Sequence, residues 1–354
     1  MARRAAATMT QWLVELSGEN LPLARAELAG ATEALHGRLL GVIEGSARLE
    51  AVAIEGRSGG QDLADRLALS RRVLRRWPAA DEGSALADLA RGARPGETAS
   101  FRTVGRMTTS PAEELVTDWV RAWKSGGGEI DLEHPDRRFL FVERTGRAIL
   151  VGEEIARVDR RAIERRRMPN LPFQRPVSLR PRLARVAANL AVIRPGDLVV
   201  DPFVGTGALL AEAALLGARV VGIDRDARMV AGSIRNLSHL GAPAERFLAM
   251  DAAQAAGRFA EGAVQAILTD PPYGRASGSA GEDPAGLVRR VLSAWADRIA
   301  AGGRIALVTP GGPDPLGPPW ARCVSVPDRV HRSLTREFRV YRRDFESASP
   351  GPIS

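Results

Sequence analysis

Hydrophobic and polar positions change period every ten to fifteen residues along the first half of the chain. Trp12-Leu-Val-Glu-Leu16 predicts a strand, and Leu21 to Leu35 carries apolar residues at helical spacing. Leu39 to Glu44 and Arg48 to Ile54 predict a hairpin turning at Gly45-Ser46. Gln61 to Trp77 reads as an amphipathic helix whose basic face is Arg71, Arg72, Arg75 and Arg76. A second set follows: a helix from Ser84, a strand from Thr98, a helix from Pro111, then strands around Glu129 and from Arg138 to Val151, the last turning at Thr145-Gly146. In Ser110-Pro-Ala-Glu113 the serine can cap, the proline fits a first turn and the glutamate can close the box. The expectation is two small α+β units in series, residues 1–78 and 79–154.

From Leu183 the pattern becomes a strict alternation of helix and strand. Helices are predicted over Leu183 to Ile193, Ala208 to Leu216, Ala227 to Leu240 and Pro284 to Ala301. Strands are predicted at Asp197 to Asp201, Ala218 to Asp224, Arg246 to Met250, Ala263 to Thr269 and Arg304 to Val308. Cys323 to Val326 and Arg336 to Tyr341 read as a terminal antiparallel pair. Repeated β-α units predict an α/β fold with a doubly wound, Rossmann-like parallel sheet over residues 178–343, which binds ligands at the carboxyl ends of its strands. The Ser/Pro/Gly-rich tail, residues 344–354, is expected to be disordered.

A length of 354 residues agrees with more than one domain. The formal charge of +8 suggests a polyanionic partner, but Lys124 is the only lysine, and so arginine-rich a composition makes total charge a weak sign. Its placement says more. Between Val151 and Leu190 stand ten Arg against four Asp/Glu, net +6, so a basic linker is predicted over residues 155–177. Pro169, Pro172, Pro176 and Pro181 bar a continuous helix through it. Cys323 is the only cysteine, so no internal disulfide is possible, and the four histidines show no metal-ligand spacing. No metal is expected, no signal core follows Met1, and no apolar run approaches membrane-spanning length, so a cytoplasmic protein is expected.

Val199-Val-Asp201-Pro202-Phe-Val-Gly205-Thr206-Gly207 combines a strand end, a glycine turn and a helix start. A carboxylate at position 201 suits the ammonium of S-adenosylmethionine and repels a pyrophosphate, and Leu210 stands where the dinucleotide pattern has its third glycine. The other reading of the two glycines is an ordinary tight turn. Asp224 ends the next strand and is placed to take both ribose hydroxyls, while its rival Asp226 suits a helix cap. Asp251 ends the third strand, as acceptor for the adenine amino group or as another cap.

The fourth strand runs into Asp270-Pro271-Pro272-Tyr273-Gly274, the most specific run in the chain. Prolines have no amide hydrogen, so nearby carbonyls are left to face a ligand. Asp270 and the Pro271 carbonyl can both accept hydrogens from one planar amino group, and Tyr273 offers a ring for stacking. An exocyclic base amine is a poor nucleophile until its hydrogens are accepted, and Asp270 can take the released proton.

With these residues the chain resembles the THUMP-domain tRNA guanine-N2-methyltransferases, in particular the archaeal type acting on tRNA position ten. The resemblance runs through Phe173-Gln-Arg-Pro-Val-Ser-Leu-Arg-Pro-Arg-Leu-Ala-Arg185, Asn189-Leu190, Asp201 to Gly207, Asn236-Leu237 with Gly241, Asp270 to Gly274 and His331-Arg-Ser-Leu-Thr-Arg336. In the first half Asp131-Leu-Glu-His-Pro-Asp136 is the clearest trace. Val204 stands where the family often has cysteine and Ala208 where glycine is common. The resemblance implies a ferredoxin-like unit and a THUMP domain gripping tRNA as a ruler; separately, no coiled-coil seam is present and a monomer is expected. It implies that Asp201, Pro202, Gly205, Thr206, Gly207, Asp224 and Asp251 hold S-adenosylmethionine, and that Asp270, Pro271, Pro272 and Tyr273 carry catalysis. The rivals are methylation of DNA adenine or cytosine amines, a ribosomal RNA target, and a non-catalytic RNA-binding subunit.

Overall fold

The computed structural model describes residues 9–43, 48–55, 59–77, 82–104, 110–143, 149–175, 178–272, 283–331 and 334–343. The Gly45-Ser46 and Thr145-Gly146 turns, Tyr273-Gly274 and the tail lie outside them. The chain divides into two compact units.

The first unit holds Met1–Leu21, Leu35–Asp65 and Ser70–Val158. Its strands are β1 (Met9–Leu16), β2 (Gly37–Val42), β3 (Leu49–Glu55), β4 (Ser70–Arg76), β5 (Thr98–Thr103), β6 (Glu129–Ile130), β7 (Arg137–Glu143) and β8 (Ile149–Arg157). They form one sheet in the order β2-β3-β1-β4-β8-β7-β5-β6, antiparallel except where β5 meets β6 and β7. Along this part of the chain lie helices α1 (Leu21–Ala34), α2 (Gly60–Arg66), α3 (Glu82–Gly92) and α4 (Ser110–Ser125). Trp119 and Trp123 of α4 pack with Leu89 of α3 on Phe101, Phe139 and Phe141 of the sheet.

The helix predicted over Gln61 to Trp77 is corrected. Its second half is β4, which pairs with β1 on one side and β8 on the other. The arginine spacing fits either period, and two facts favour the strand. Val73 and Leu74 are adjacent and both fully buried, which a sheet interior allows by pointing neighbours to opposite faces. The neighbouring strands also supply carboxylates: Arg72 meets Glu15 at 2.7 Å and Glu154 at 2.8 Å, and Arg75 pairs with Glu153. Much of the expected basic face is therefore neutralised within the sheet.

The second unit holds Asp159–Ser354 together with two earlier segments, Pro22–Ala34 and Arg66–Leu69. Helices α5 (Arg160–Arg165) and α6 (Pro181–Leu190) lead into alternating β9 (Leu198–Asp201), α7 (Ala208–Leu215), β10 (Arg219–Asp224), α8 (Ala227–His239), β11 (Arg246–Ala249), α9 (Ala252–Ala255), β12 (Val264–Thr269), α10 (Pro284–Trp295) and β13 (Ile299–Thr309), then β14 (Trp320–His331) and β15 (Leu334–Arg343). The sheet order is β11-β10-β9-β12-β13-β15-β14, parallel from β11 to β13 and closed by antiparallel β15 and β14. This is the predicted doubly wound sheet. The helix expected to reach Ala301 stops at Trp295, whose buried ring donates Nε1–H to the Ala252 carbonyl at 2.9 Å. Val291, Leu292 and Trp295 of α10 join Val200, Ile267 and Ile305 of the sheet in one core.

Glu27 binds the two early segments to this unit. It is fully buried on α1, and its carboxylate accepts the Ala68 and Leu69 amides at 2.8 Å each and Nδ2–H of Asn189 at 3.0 Å. Burial pushes Glu27 up to about 7. Gly30 lets α1 and α6 touch, since a Cβ there would stand 2.2 Å from the Asn189 carbonyl oxygen.

Candidate active site

Strand order reverses between β9 and β12, because the chain runs outward through β10 and β11 before returning to β12. Such a reversal opens a crevice at the carboxyl ends of the strands. Four carboxylates stand along this edge: Asp251 after β11, Asp224 ending β10, Asp201 ending β9 and Asp270 after β12.

Asp201 is only 2% exposed. Its Oδ1 accepts the Phe203 amide and the Thr269 hydroxyl, both at 3.0 Å, so the side chain links β9 to β12 directly beneath Asp270 in sequence. Burial pushes Asp201 up to about 7, against hydrogen bonds that pull it down, and the charges of Asp270 and Asp224 add to the rise. Pro202 is buried beside it.

Asp224 shapes the glycine turn. Its carboxylate accepts the Gly205 amide at 3.1 Å and the Asp226 amide at 3.0 Å, and burial raises it above the ordinary carboxylate range. The two glycines are needed for different reasons. Gly205 has φ +51°, and a Cβ there would have only the Phe203 carbonyl, at 3.8 Å, within reach, so the turn stays open to a ligand. Gly207 has φ +84°, and a Cβ would fall 2.7 Å from Leu237 Cδ1. Thr206, between them, places its hydroxyl 3.0 Å from that of Ser178, and its carbonyl accepts Nδ2–H of Asn236 at 3.0 Å.

The cap readings of Asp226 and Asp251 are met in the structure. Asp226 accepts the Arg228 amide at 2.8 Å at the start of α8 and pairs with the Arg228 guanidinium. Asp251 accepts the amides of Ala253 and Gln254 through Oδ1, with Arg290 at 3.3 Å. Asp270 and Pro272 are partly buried and Pro271 is buried, while Tyr273 lies outside the described residues.

Several residues that shape the site were not singled out from the sequence. Thr269 is one, although it directly precedes Asp270. Glu212 is another: buried on α7, it takes a bidentate pair from Arg166 at 2.6 and 2.8 Å and a third contact from Arg185 at 2.8 Å. A single acid inside the apolar run Ala208–Leu215 was the available signal. Arg166 and, on α6, Arg185 are thereby internal, whereas Arg157, Arg161, Arg165, Arg167, Arg175 and Arg180 are exposed. Among the described residues no His/Cys/Asp/Glu group could hold a metal ion, and no helix is long and apolar enough to cross a membrane.

The edge therefore presents acceptors and an open backbone turn. It suits a ligand that brings an ammonium, ribose hydroxyls and an amino group, and disfavours a pyrophosphate.

Residues 170–316 match the family model described as the RMKL-like methyltransferase domain. The chain is 38% identical to a tRNA (guanine(10)-N2)-dimethyltransferase of Methanothermobacter thermautotrophicus, over 61% of this chain and 64% of that protein. It is 33% identical to the protein of the same name from Pyrococcus abyssi, over 61% of this chain and 65% of that one. The chain thus spans somewhat under two thirds of the length of these relatives. Among solved structures, TrmN from Thermus thermophilus aligns at 24% identity with a TM-score of 0.47, over 94% of this chain and 99% of that chain. The second unit has a Rossmann-like methyltransferase fold built on one mixed sheet.

Proposed function

We propose that this protein uses S-adenosylmethionine to methylate N2 of a guanosine in tRNA, at position ten, adding one or two methyl groups. The observation that carries the reading is the setting of Asp270-Pro271-Pro272: it follows β12 at the sheet reversal, next to Asp201 through Thr269, in line with Asp224 and Asp251. The names of the relatives in the two archaea support the choice of base, position and RNA.

The residues present fit the cofactor. Asp201 takes its ammonium, Asp224 its ribose hydroxyls, and Asp251 its adenine amino group through the carboxylate oxygen that does not cap α9. Pro202, Gly205, Thr206 and Gly207 form the turn against which it lies. When bound, it supplies a methyl group made electrophilic by a sulfonium. Asp270 and the Pro271 carbonyl accept the guanine amino hydrogens, which turns the nitrogen lone pair toward attack, and Asp270 receives the released proton. Pro272 stiffens the turn, and Tyr273 stacks on a guanine drawn out of the RNA. Closure of the pocket against water would favour transfer, because positive charge is dispersed as the methyl moves.

Residues 1–78 serve as a ferredoxin-like unit and 79–154 as a THUMP-like domain that hold the tRNA, with 155–177 as a basic linker and the protein acting as a monomer in the cytoplasm. The test is transfer of labelled methyl to unmodified tRNA, with duplex DNA and ribosomal RNA fragments in parallel, followed by nucleoside analysis. N2-methylguanosine or its dimethyl form in tRNA is expected. Methyladenine or methylcytosine in DNA would overturn the RNA assignment, and cofactor binding without any transfer would point to a binding subunit.

A further inference from the structure

Phe173 carries an arrangement that the reaction does not account for. Its ring lies against Gly232 of α8, where a Cβ would come within 2.2–2.4 Å of three ring atoms, so only glycine leaves room. Its backbone is fixed by Asn236, which accepts the Phe173 amide and donates to the Phe173 carbonyl, both at 2.9 Å. The same Asn236 amide group donates to the Thr206 carbonyl in the glycine turn. The ring is thus tied rigidly to the cofactor loop.

Two guanidiniums lie over this one ring, Arg175 at 5.1 Å and Arg235 at 5.7 Å from its centroid. Both arginines are exposed, and among the described residues neither forms an ion pair. Asp226, a nearby acid that feels the Arg175 charge, is already paired with Arg228 at 2.8 Å. A guanidinium stacked on a ring keeps its edge N–H groups for other partners, in a fork that matches a phosphate. Holding two like charges on one ring, with the nearby acid already engaged by Arg228, is unfavourable and is relieved when an anion arrives.

We propose that Phe173, Arg175 and Arg235 form a phosphate-binding platform for the RNA backbone beside the target nucleotide. Contacts of this kind position the strand and carry no sequence information. The platform rests on the reading of the protein as an RNA methyltransferase, and it adds the place where the strand is held as the guanine turns into the pocket.

The test is filter binding of tRNA across a salt series, with methyl transfer measured in parallel. The double variant Arg175→Ala/Arg235→Ala is compared with the charge-matched Arg219→Ala/Arg246→Ala at the amino ends of β10 and β11, the opposite edge of the sheet. Cofactor binding, read by calorimetry, verifies that each variant is folded. The platform variant is expected to raise the KM for tRNA about tenfold. It should lower the slope of log affinity against log salt by about one to two, near 0.7 for each lost phosphate contact. The control pair should leave the slope as it is. Equal changes in both pairs, or none in the platform pair, would overturn the proposal. A platform that takes free phosphate instead would bind inorganic phosphate in calorimetry while the platform variant keeps the wild-type affinity for tRNA and its salt slope, which also overturns it. Wild-type protein that binds tRNA with the expected slope difference but transfers no methyl would leave the platform standing and remove the functional reading.

Discussion

Asp201 and Asp270 stand on adjacent strands, and the same sheet edge asks different things of them. Asp270 follows the sheet and in the proposed reaction accepts the amine hydrogens, so Asp270→Ala is expected to lower transfer by a factor on the order of 10²–10⁴. Cofactor affinity should persist, and its loss in calorimetry would show that the role is misassigned. Asp201 is buried and is pushed up to about 7, from an ordinary value near 3.8. A folded value above the unfolded one means that the folded protein holds a proton the unfolded chain has already released. The contribution of Asp201 to stability is therefore greatest below about pH 4 and is lost as pH rises through about 7. If Asp201 takes the cofactor ammonium as proposed, binding needs the charged form, so affinity for S-adenosylhomocysteine should rise with pH and level off above about 7. Asp201→Asn should flatten that rise, and a flat wild-type profile would contradict the assignment. The place of Asp201 at a strand end before a glycine turn was legible in the run Val199 to Gly207. Its pairing with Thr269 was not, since that bond joins residues 68 apart.

At the scale of elements, buried polar contacts link α7 to the segments before it. Glu212 holds Arg166, just past α5, and Arg185 on α6, with side-chain exposures of 2, 18 and 6%. Removing the acid would strand a buried guanidinium, so Glu212→Ala is expected to destabilise the fold by about 3–5 kcal/mol in denaturant titration. A loss below about 1 kcal/mol would mean that water reaches the cluster. Gly207→Ala meets both a left-handed backbone and Leu237, and should cost about 1–3 kcal/mol by the same measurement. The alternating half of the chain was readable because each strand there is a short apolar run and each helix a 3.6-residue stripe. Residues 61–77 were not, because Arg71, Arg72, Arg75 and Arg76 satisfy a helical face as well as a strand. What decides between them is Glu15, Glu153 and Glu154 on neighbouring strands, which no local window contains.

For the molecule as a whole, basic charge becomes informative only once its partners are known. Ten arginines between Val151 and Leu190 suggest a polyanion, and six of them are exposed. Affinity for tRNA is expected to fall steeply with salt, and a flat response would discredit this stretch as an RNA contact. The fold class was visible in the sequence, whereas the allocation of segments to compact units was hidden, because the carboxylate of Glu27 finds Asn189 at a separation of 162 residues. That allocation has a practical consequence. The second unit is stitched from three stretches of chain, Pro22–Ala34, Arg66–Leu69 and Asp159 onward, so no single cut releases it whole. A fragment beginning at Asp159 would lack the helix whose glycine fits against Asn189 and the carboxylate that bonds it. In synthesis, too, α1 emerges long before the strands of its own unit, and its apolar face has to wait for most of the protein to be made.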